Sequence, residues 1–199
     1  MSDDIPPRQF REAAAVLAAA FSADGLWNDV RPSGSRRADR ALYRFFRGEL
    51  AIARRRGGIV RATRDGGGRI TGVIIAFTDG ERTSPWWAWI HRLPAMLLCG
   101  VRTSRTLMAK LEQVERAHPR EPHVYFYYVG SERLGGGAVL IRKVMKIARE
   151  AGLPCYGEAK SPDVVELCTI LGWDAGPPID LGDGHSVTPV WWRGPVPVA

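Results

Sequence analysis

The chain has 199 residues, of which 45% are hydrophobic and 25% are charged. This is the composition of a soluble globular protein and excludes a largely disordered chain, and the length suffices for a single domain with a substantial core over residues 1–199. The formal net charge of +7 is explained either by an anionic ligand, such as a nucleotide cofactor, or by an arginine-rich proteome.

The N-terminal part of the chain predicts two helices. Residues 1–10 are acidic and polar where a secretion signal would be basic and then apolar, so we expect a cytoplasmic protein. Apolar residues at helical spacing predict one helix over residues 9–21 and a longer one over residues 36–56, with a loop rich in turn-forming residues between them. Arginine runs lie at both ends of the longer helix without interleaved aromatic residues, so we expect a solvated basic face and no nucleic-acid partner.

Two strands follow the longer helix. Residues 58–63 and 69–80 are rich in β-branched residues, and a glycine-rich turn at residues 65–68 joins them. They predict an antiparallel pair at the start of a central sheet.

The most apolar stretch of the chain lies in its middle, at residues 84–101. Its apolar runs are shorter than the roughly 20 residues that a membrane span requires, so we expect no membrane partner. With a second helix over residues 103–117, it predicts a helical insertion over residues 84–118. The insertion contains Trp86, Trp87 and Trp89. These tryptophans pack in the core, line a substrate pocket or form a subunit contact, which leaves a homodimer open.

A strand, three glycines and an amphipathic helix follow one another within residues 121–150. Backbone N–H groups at a helix start have no partner within the helix, the helix dipole adds partial positive charge, and glycine lets an anion approach the main chain. Gly135, Gly136 and Gly137 therefore predict a phosphate site, although glycine runs also occur in plain turns.

The remaining elements complete a βαβ-like unit and extend it. A glycine ends the amphipathic helix, and a short strand is predicted over residues 155–159. A helix over residues 161–173 begins with Ser-Pro, and residues 186–193 predict a last strand.

This order resembles the GNAT superfamily of acyl-CoA-dependent N-acyltransferases, and most of all its puromycin N-acetyltransferase-like members that modify small molecules. The resemblance is carried by EAAAVLAAAF (12–21), EPHVYFYYVG (121–130), GGGAVLIRKVMKIAREAGLP (135–154), EAKSP (158–162) and LGW (171–173). It implies an α/β fold with a mixed, mostly antiparallel central sheet, two splayed strands and flanking helices. It also implies an N-acetyltransferase that takes acetyl-CoA as co-substrate and transfers the acetyl group directly to a small-molecule amine in a ternary complex. The helical insertion would then border the acceptor site.

The resemblance also implies where acetyl-CoA binds. The pyrophosphate is expected at the glycine loop, and the pantetheine arm along the strand before it. The residues implied for the pyrophosphate are Gly135, Gly136, Gly137 and Ala138. Those implied for the arm are Tyr127, Tyr128, Val129 and Gly130.

Two departures concern this same function. The loop before the glycines reads only SERL, and Arg133 is the only residue there that matches the Gln or Arg of the family signature. Val164 and Cys168 stand where relatives commonly have an Asn and a Tyr, and that Tyr usually protonates the departing thiolate. These departures support an alternative, in which a protein with the GNAT fold has lost acetyl-CoA use and performs another biosynthetic reaction or only binds a ligand.

Glu158 is the first candidate for the general base, because the puromycin-like relatives have a carboxylate there. The alternative is a surface carboxylate paired with Lys160. His123 has the right chemistry for a base near neutrality, but a solvated edge histidine is the simpler interpretation. Cys168 has two interpretations. It is either a thiol that donates a proton or a small buried apolar residue.

Alternation along the predicted strand gives one more catalytic candidate. It places Tyr125 on one face with His123 and Tyr127, and Tyr128 on the opposite face. The three cysteines and four histidines show no spacing typical of a metal site, so we expect no metal and a reducing compartment.

Overall fold

The fold is built on a central sheet. The structure, a computed structural model, describes residues 4–23, 25–30, 34–78, 87–133 and 135–194. Over these ranges the strands are β1 (Ile59–Arg64), β2 (Ile70–Phe77), β3 (Val124–Ser131), β4 (Cys155–Ala159), β5 (Asp174–Ala175), β6 (Ile179–Gly182) and β7 (His185–Trp192). The helices are α1 (Phe10–Phe21), α2 (Gly25–Val30), α3 (Ser35–Arg55), α4 (Ala88–Cys99), α5 (Val101–Ala117), α6 (Gly136–Glu150) and α7 (Pro162–Ile170).

In the described part of the chain, seven strands form one sheet in the order β1-β2-β3-β4-β7-β5, and β6 pairs with β7. β3 and β4 are parallel, while the other paired strands are antiparallel. The expected mixed, mostly antiparallel sheet with flanking helices is confirmed. Strands β5 and β6 were not predicted, because elements of two and four residues are too short to show a period. The loop expected after the first helix contains the short helix α2.

Helices cover both faces of the sheet. On the first face, Leu17 of α1 and Phe46 of α3 belong to one core cluster with Ile75 of β2. On the second face, Leu140 of α6 belongs to another core cluster with Ile74 of β2. Ile74 and Ile75 are consecutive, so their side chains point to opposite sides of the strand. We call these two sides the α1 face and the α6 face.

Strand β3 contains one extra residue, Tyr127. Ile75 of β2 lies opposite Tyr128, and the next residue, Ala76, lies opposite Phe126, so Tyr127 forms a β-bulge. The bulge brings Tyr127 and Tyr128 together on the α1 face. The strict alternation expected from the sequence, with Tyr128 on the opposite face, is therefore wrong, because a bulge shifts the pattern by one residue.

Strands β3 and β4 diverge next to this bulge. Their parallel pairing ends at Phe126 and Gly157. Beyond that point β3 continues along β2, whereas Glu158 and Ala159 of β4 pair only with β7. The expected splayed strands are thus present, and one edge of β3 faces the gap between them.

The helices expected over residues 84–118 are present as α4 and α5, and Trp86 lies outside the described residues. Trp89 is 41% exposed, so it does not belong to the core. Trp87 is half-buried and lies under the guanidinium of Arg55, whose Cζ is 5.5 Å from the ring centroid. Within the described ranges, no helix has both the length and the apolar character needed to cross a membrane.

A buried ion pair fixes α4 to the sheet. The Nε atom of Arg92 lies 2.6 Å from Oε1 of Glu49, and its Nη2 atom donates a hydrogen bond of 3.1 Å to the hydroxyl of Tyr127. Burial is the largest single effect and lowers the pKa of Arg92, but Glu49, Tyr127 and Tyr128 together outweigh it and raise that pKa above its ordinary value. The network therefore connects α3, α4 and the bulge of β3 through charged groups.

Helices α3 and α4 approach each other closely at Gly48, where a Cβ atom would clash with the main-chain oxygen of His91. We expect Gly48→Ala to lower the free energy of unfolding by about 1–3 kcal/mol through overpacking. Helix propensity alone would instead raise it by about 1 kcal/mol. Chemical denaturation measures the change. The control is Gly66→Ala, in the β1–β2 turn with open space around its Cβ position, and a stabilised Gly48→Ala variant would contradict the close contact.

Candidate active site

A cavity of about 480 Å³ lies where β3 and β4 diverge. Its lining includes Phe21, Tyr127 and Tyr128, which belong to the α1 face. It also includes Ile141 and Cys168, which belong to the α6 face. The cavity therefore passes through the gap in the sheet and reaches both faces.

The three glycines at the start of α6 differ in what their positions require. Gly135 adopts a left-handed conformation with φ of 76°, which favours glycine. A Cβ atom on Gly136 would clash with Oγ of Ser131, and the N–H of Gly136 donates to the main-chain oxygen of Arg133 at 3.0 Å. Gly137 lines the cavity, where a Cβ atom would only reach ordinary contact with Val129.

The other residues predicted to bind acetyl-CoA differ in their exposure and in whether they line the cavity. Tyr128 and Val129 line the cavity. Gly130 does not: a Cβ atom there would be 2.9 Å from that of Ala20, so α1 packs directly on it. Arg133 is exposed, and Ala138 is buried in the first turn of α6. Their roles toward acetyl-CoA stay predictions.

Glu158 lines the cavity at the end of β4, and its side chain is only 9% exposed. The hydroxyl of Tyr125 donates a hydrogen bond of 2.8 Å to Oε2 of Glu158. The Nδ1 atom of His118 lies 3.6 Å from the other carboxylate oxygen, Oε1. The structure therefore brings together two predicted catalytic residues and one histidine that sequence reasoning missed. A surface carboxylate, the alternative considered for Glu158, is wrong because the side chain is buried.

His118 lacked any local signal in the sequence. It lies in the short segment between α5 and β3, where it matches no motif. Its place beside Glu158 results from α5 ending next to β3 and from the parallel pairing of β3 with β4, both of which are tertiary features. The only signal in the sequence that could have indicated His118 is its position shortly before the predicted β3 strand.

His123 is completely buried, so the solvated edge histidine expected from the sequence is wrong. Its Nδ1 atom lies 2.7 Å from the main-chain oxygen of Glu121 and donates to it, which leaves Nε2 as the unprotonated nitrogen. Burial lowers the pKa of His123 and keeps its ring neutral. The residue packs against the rings of Tyr156 and Trp191 and is not part of the cavity lining.

Cys168 lines the cavity from α7 and is 5% exposed. Burial raises the pKa of its thiol to about 11. The group is therefore a neutral thiol near neutral pH, and it belongs to the core cluster of the α6 face, as a small buried residue would. In this state it can give a proton but not accept one.

Comparisons with known proteins identify the fold. No family profile and no curated protein sequence matches the chain. A crystal structure of histone acetyltransferase HPA2 and related acetyltransferase from Corynebacterium glutamicum is 21% identical, with 98% of this chain and 96% of that chain covered and a TM-score of 0.66. The C-terminal condensation domain of Ebony, in complex with beta-alanyl-dopamine, is 12% identical, with 94% and 95% covered and a TM-score of 0.64.

A third solved structure, the polyamine N-acetyltransferase of Drosophila melanogaster, is 14% identical, with 94% of this chain and 96% of that chain covered and a TM-score of 0.60. A structure described as a putative GNAT-family acetyltransferase from Bordetella pertussis is 10% identical, with 94% and 91% covered and a TM-score of 0.51. Together these similarities show that the chain has the GNAT fold over nearly its whole length. The finer likeness to puromycin-like enzymes stays a prediction.

The thiols provide a test of the cavity lining. Burial raises the pKa of all three thiols, to about 12 for Cys155 and about 11 for Cys168, but Cys99 is only half-buried whereas the other two are buried. We expect Ellman's reagent to modify Cys99 first in the native protein and the other two thiols only after unfolding. A fast phase that persists in Cys99→Ser would contradict this burial.

Proposed function

We propose that this protein is an acyl-CoA-dependent N-acetyltransferase that acts on a small-molecule amine by direct transfer in a ternary complex. The observation that carries the proposal is the gap between β3 and β4, through which one cavity extends from the first turn of α6 to Glu158. A passage through the sheet lets a long thioester and its acceptor meet from opposite faces.

The α6 side fits acetyl-CoA. This co-substrate supplies the acetyl group as a thioester. Gly137 presents no side chain to the cavity, and the first-turn N–H groups of α6 with the helix dipole favour an anionic pyrophosphate. Beyond Phe126, one edge of β3 faces the gap instead of β4, so its backbone can pair with the amides of an extended pantetheine arm as a strand would.

The α1 side fits the amine. Glu158 is a buried carboxylate that removes a proton from the acceptor ammonium, so that the neutral nitrogen attacks the thioester carbonyl. As the C–N bond forms and the C–S bond breaks, Cys168 on the opposite wall is a thiol that can protonate the departing sulfur. The aromatic rings of Phe21, Tyr127 and Tyr128 offer contacts to a cationic or aromatic acceptor. Solved neighbours named for agmatine, polyamine and arylalkylamine acetylation agree with this class of acceptor.

A second candidate function is a GNAT-fold protein that no longer uses acetyl-CoA. It is favoured by the short loop before α6, because the N–H of Gly136 is already bound to Arg133 and Ser131 packs against the loop. Fewer backbone donors then remain for a pyrophosphate. One solved neighbour, the condensation domain of Ebony, is named for a reaction other than acetyl transfer.

Calorimetric titration with acetyl-CoA and with free CoA separates the two candidates. We expect a dissociation constant on the order of micromolar for the wild type, and at least about tenfold weaker binding for Gly137→Glu, because its carboxylate would repel the pyrophosphate. Leu97→Glu adds the same charge at a position on α4 that is 70% exposed, and it should bind as the wild type does. No binding at millimolar ligand would favour the second candidate.

Glu158→Gln tests the general base. We expect acetyl transfer to small primary amines, including agmatine and an arylalkylamine, to fall by about 10²–10⁴-fold, because the carboxamide cannot take up a proton. The affinity for CoA should stay within about twofold, since Glu158 lies at the acceptor end. Glu166→Gln, the same change at an exposed position of α7, is the control. Unchanged turnover in Glu158→Gln would remove the assignment.

A further inference from the structure

His118 completes a buried acid–base cluster beneath the cavity. Its side chain is 7% exposed, and its ring centroid lies 4.6 Å from that of Tyr125. The two oxygens of Glu158 face different groups, since Oε2 accepts from Tyr125 and Oε1 faces Nδ1 of His118 at 3.6 Å. Glu158 lines the cavity, whereas Tyr125 and His118 do not.

The two neighbours of Glu158 differ in chemistry. Tyr125 supplies a neutral hydrogen bond that orients the carboxylate. His118 can in addition bind a proton, and at 3.6 Å its cation and the carboxylate form an ion pair rather than a hydrogen bond. A proton that enters this site can be held as an imidazolium, because the restored carboxylate of Glu158 pairs its charge.

Other titratable groups near His118 do not compete for this proton. His123, just before β3, has its ring 5.0 Å away, and burial, together with a smaller effect of His118, lowers the pKa of His123. Tyr156 of β4, with its ring 5.2 Å away, and Tyr125 are phenols and carry no charge near neutrality. Among these described neighbours, a positive charge on His118 faces neutral rings and the carboxylate of Glu158.

We propose that His118 is a positioning residue for Glu158 and receives the proton that Glu158 removes from the acceptor. This inference rests on the proposed function. The proton passes from the acceptor ammonium to Glu158 and then to Nδ1 of His118, which restores the carboxylate. After the nitrogen has attacked and the C–S bond has broken, the second nitrogen proton replaces the one that the Cys168 thiol gives to the leaving sulfur. His118 then returns the first proton to solvent, so that one proton is released per acetyl group transferred.

The kinetic test compares His118→Asn with the wild type. Asparagine keeps an N–H donor near the position of Nδ1 but cannot take up a proton. We expect kcat to fall about 10–100-fold while KM for the amine and the dissociation constant for CoA stay within about threefold. The acid limb of the kcat profile should move to lower pH, because only protonation of the carboxylate then abolishes the base. Tyr125→Phe, which removes the other hydrogen bond, should leave the acid limb in place.

A structural role for His118 predicts a different result. In that case His118→Asn would lower the melting temperature or raise KM while the acid limb stays at the wild-type pH, and this result would overturn the proposal. A fall in kcat without any shift of the acid limb would also overturn it, because proton uptake would then not be what the histidine contributes.

A spectroscopic test works without turnover. Nitrogen-15 spectra of the four histidines report which ring nitrogen carries the proton, and a neutral imidazole accepts a proton at Nδ1 only while its own proton lies on Nε2. We expect the Nε2–H form for neutral His118 in the wild type and a shifted Nδ1 resonance in Glu158→Ala. An Nδ1–H form in the wild type, or an Nδ1 resonance that Glu158→Ala leaves unchanged, would overturn the pair even in an active enzyme. If the wild type transfers no acetyl group, the proposed function and the proton transfer through His118 both fail, whereas the tautomer still decides whether the pair exists.

Discussion

The end of pairing between β3 and β4 at Phe126 and Gly157 is the constraint on which the rest of the structure depends. A sheet that opens in its interior turns strand edges toward a cavity, where backbone groups need new hydrogen-bond partners. The bulge at Tyr127 lies at the same level of β3, and it increases the local twist that separates the strands. The cavity is therefore a consequence of backbone geometry, and the side chains around it only give it chemistry.

Chemical functions are divided between the two faces of the sheet. The α6 face offers a glycine-headed helix and a neutral thiol. The α1 face offers a buried carboxylate with a phenol and an imidazole behind it. Because the gap connects the two faces, the proposed reaction would use the first face for acetyl-CoA and the second for the amine.

Periodicity in the sequence is sufficient to predict the long elements. It also predicts the βαβ-like unit, because α6 and β4 have clear patterns and glycines separate β3 from α6. Glu158 could be placed near the gap because it ends a short strand. The bulge at Tyr127 could not be foreseen, because one inserted residue changes the facing of Tyr128 without changing composition. His118 and the burial of His123 depend on how α5 returns to the sheet, which no local pattern encodes.

The ion pair between Glu49 and Arg92 also has an evolutionary consequence. Removing one partner of a buried pair costs about 3–5 kcal/mol, whereas replacing both by apolar residues of similar volume is often tolerated. The two positions lie 43 residues apart in the chain, yet substitutions there should be accepted only as a pair. Since Arg92 also donates to the hydroxyl of Tyr127, descendants that lose the pair would be free to change the aromatic wall of the cavity.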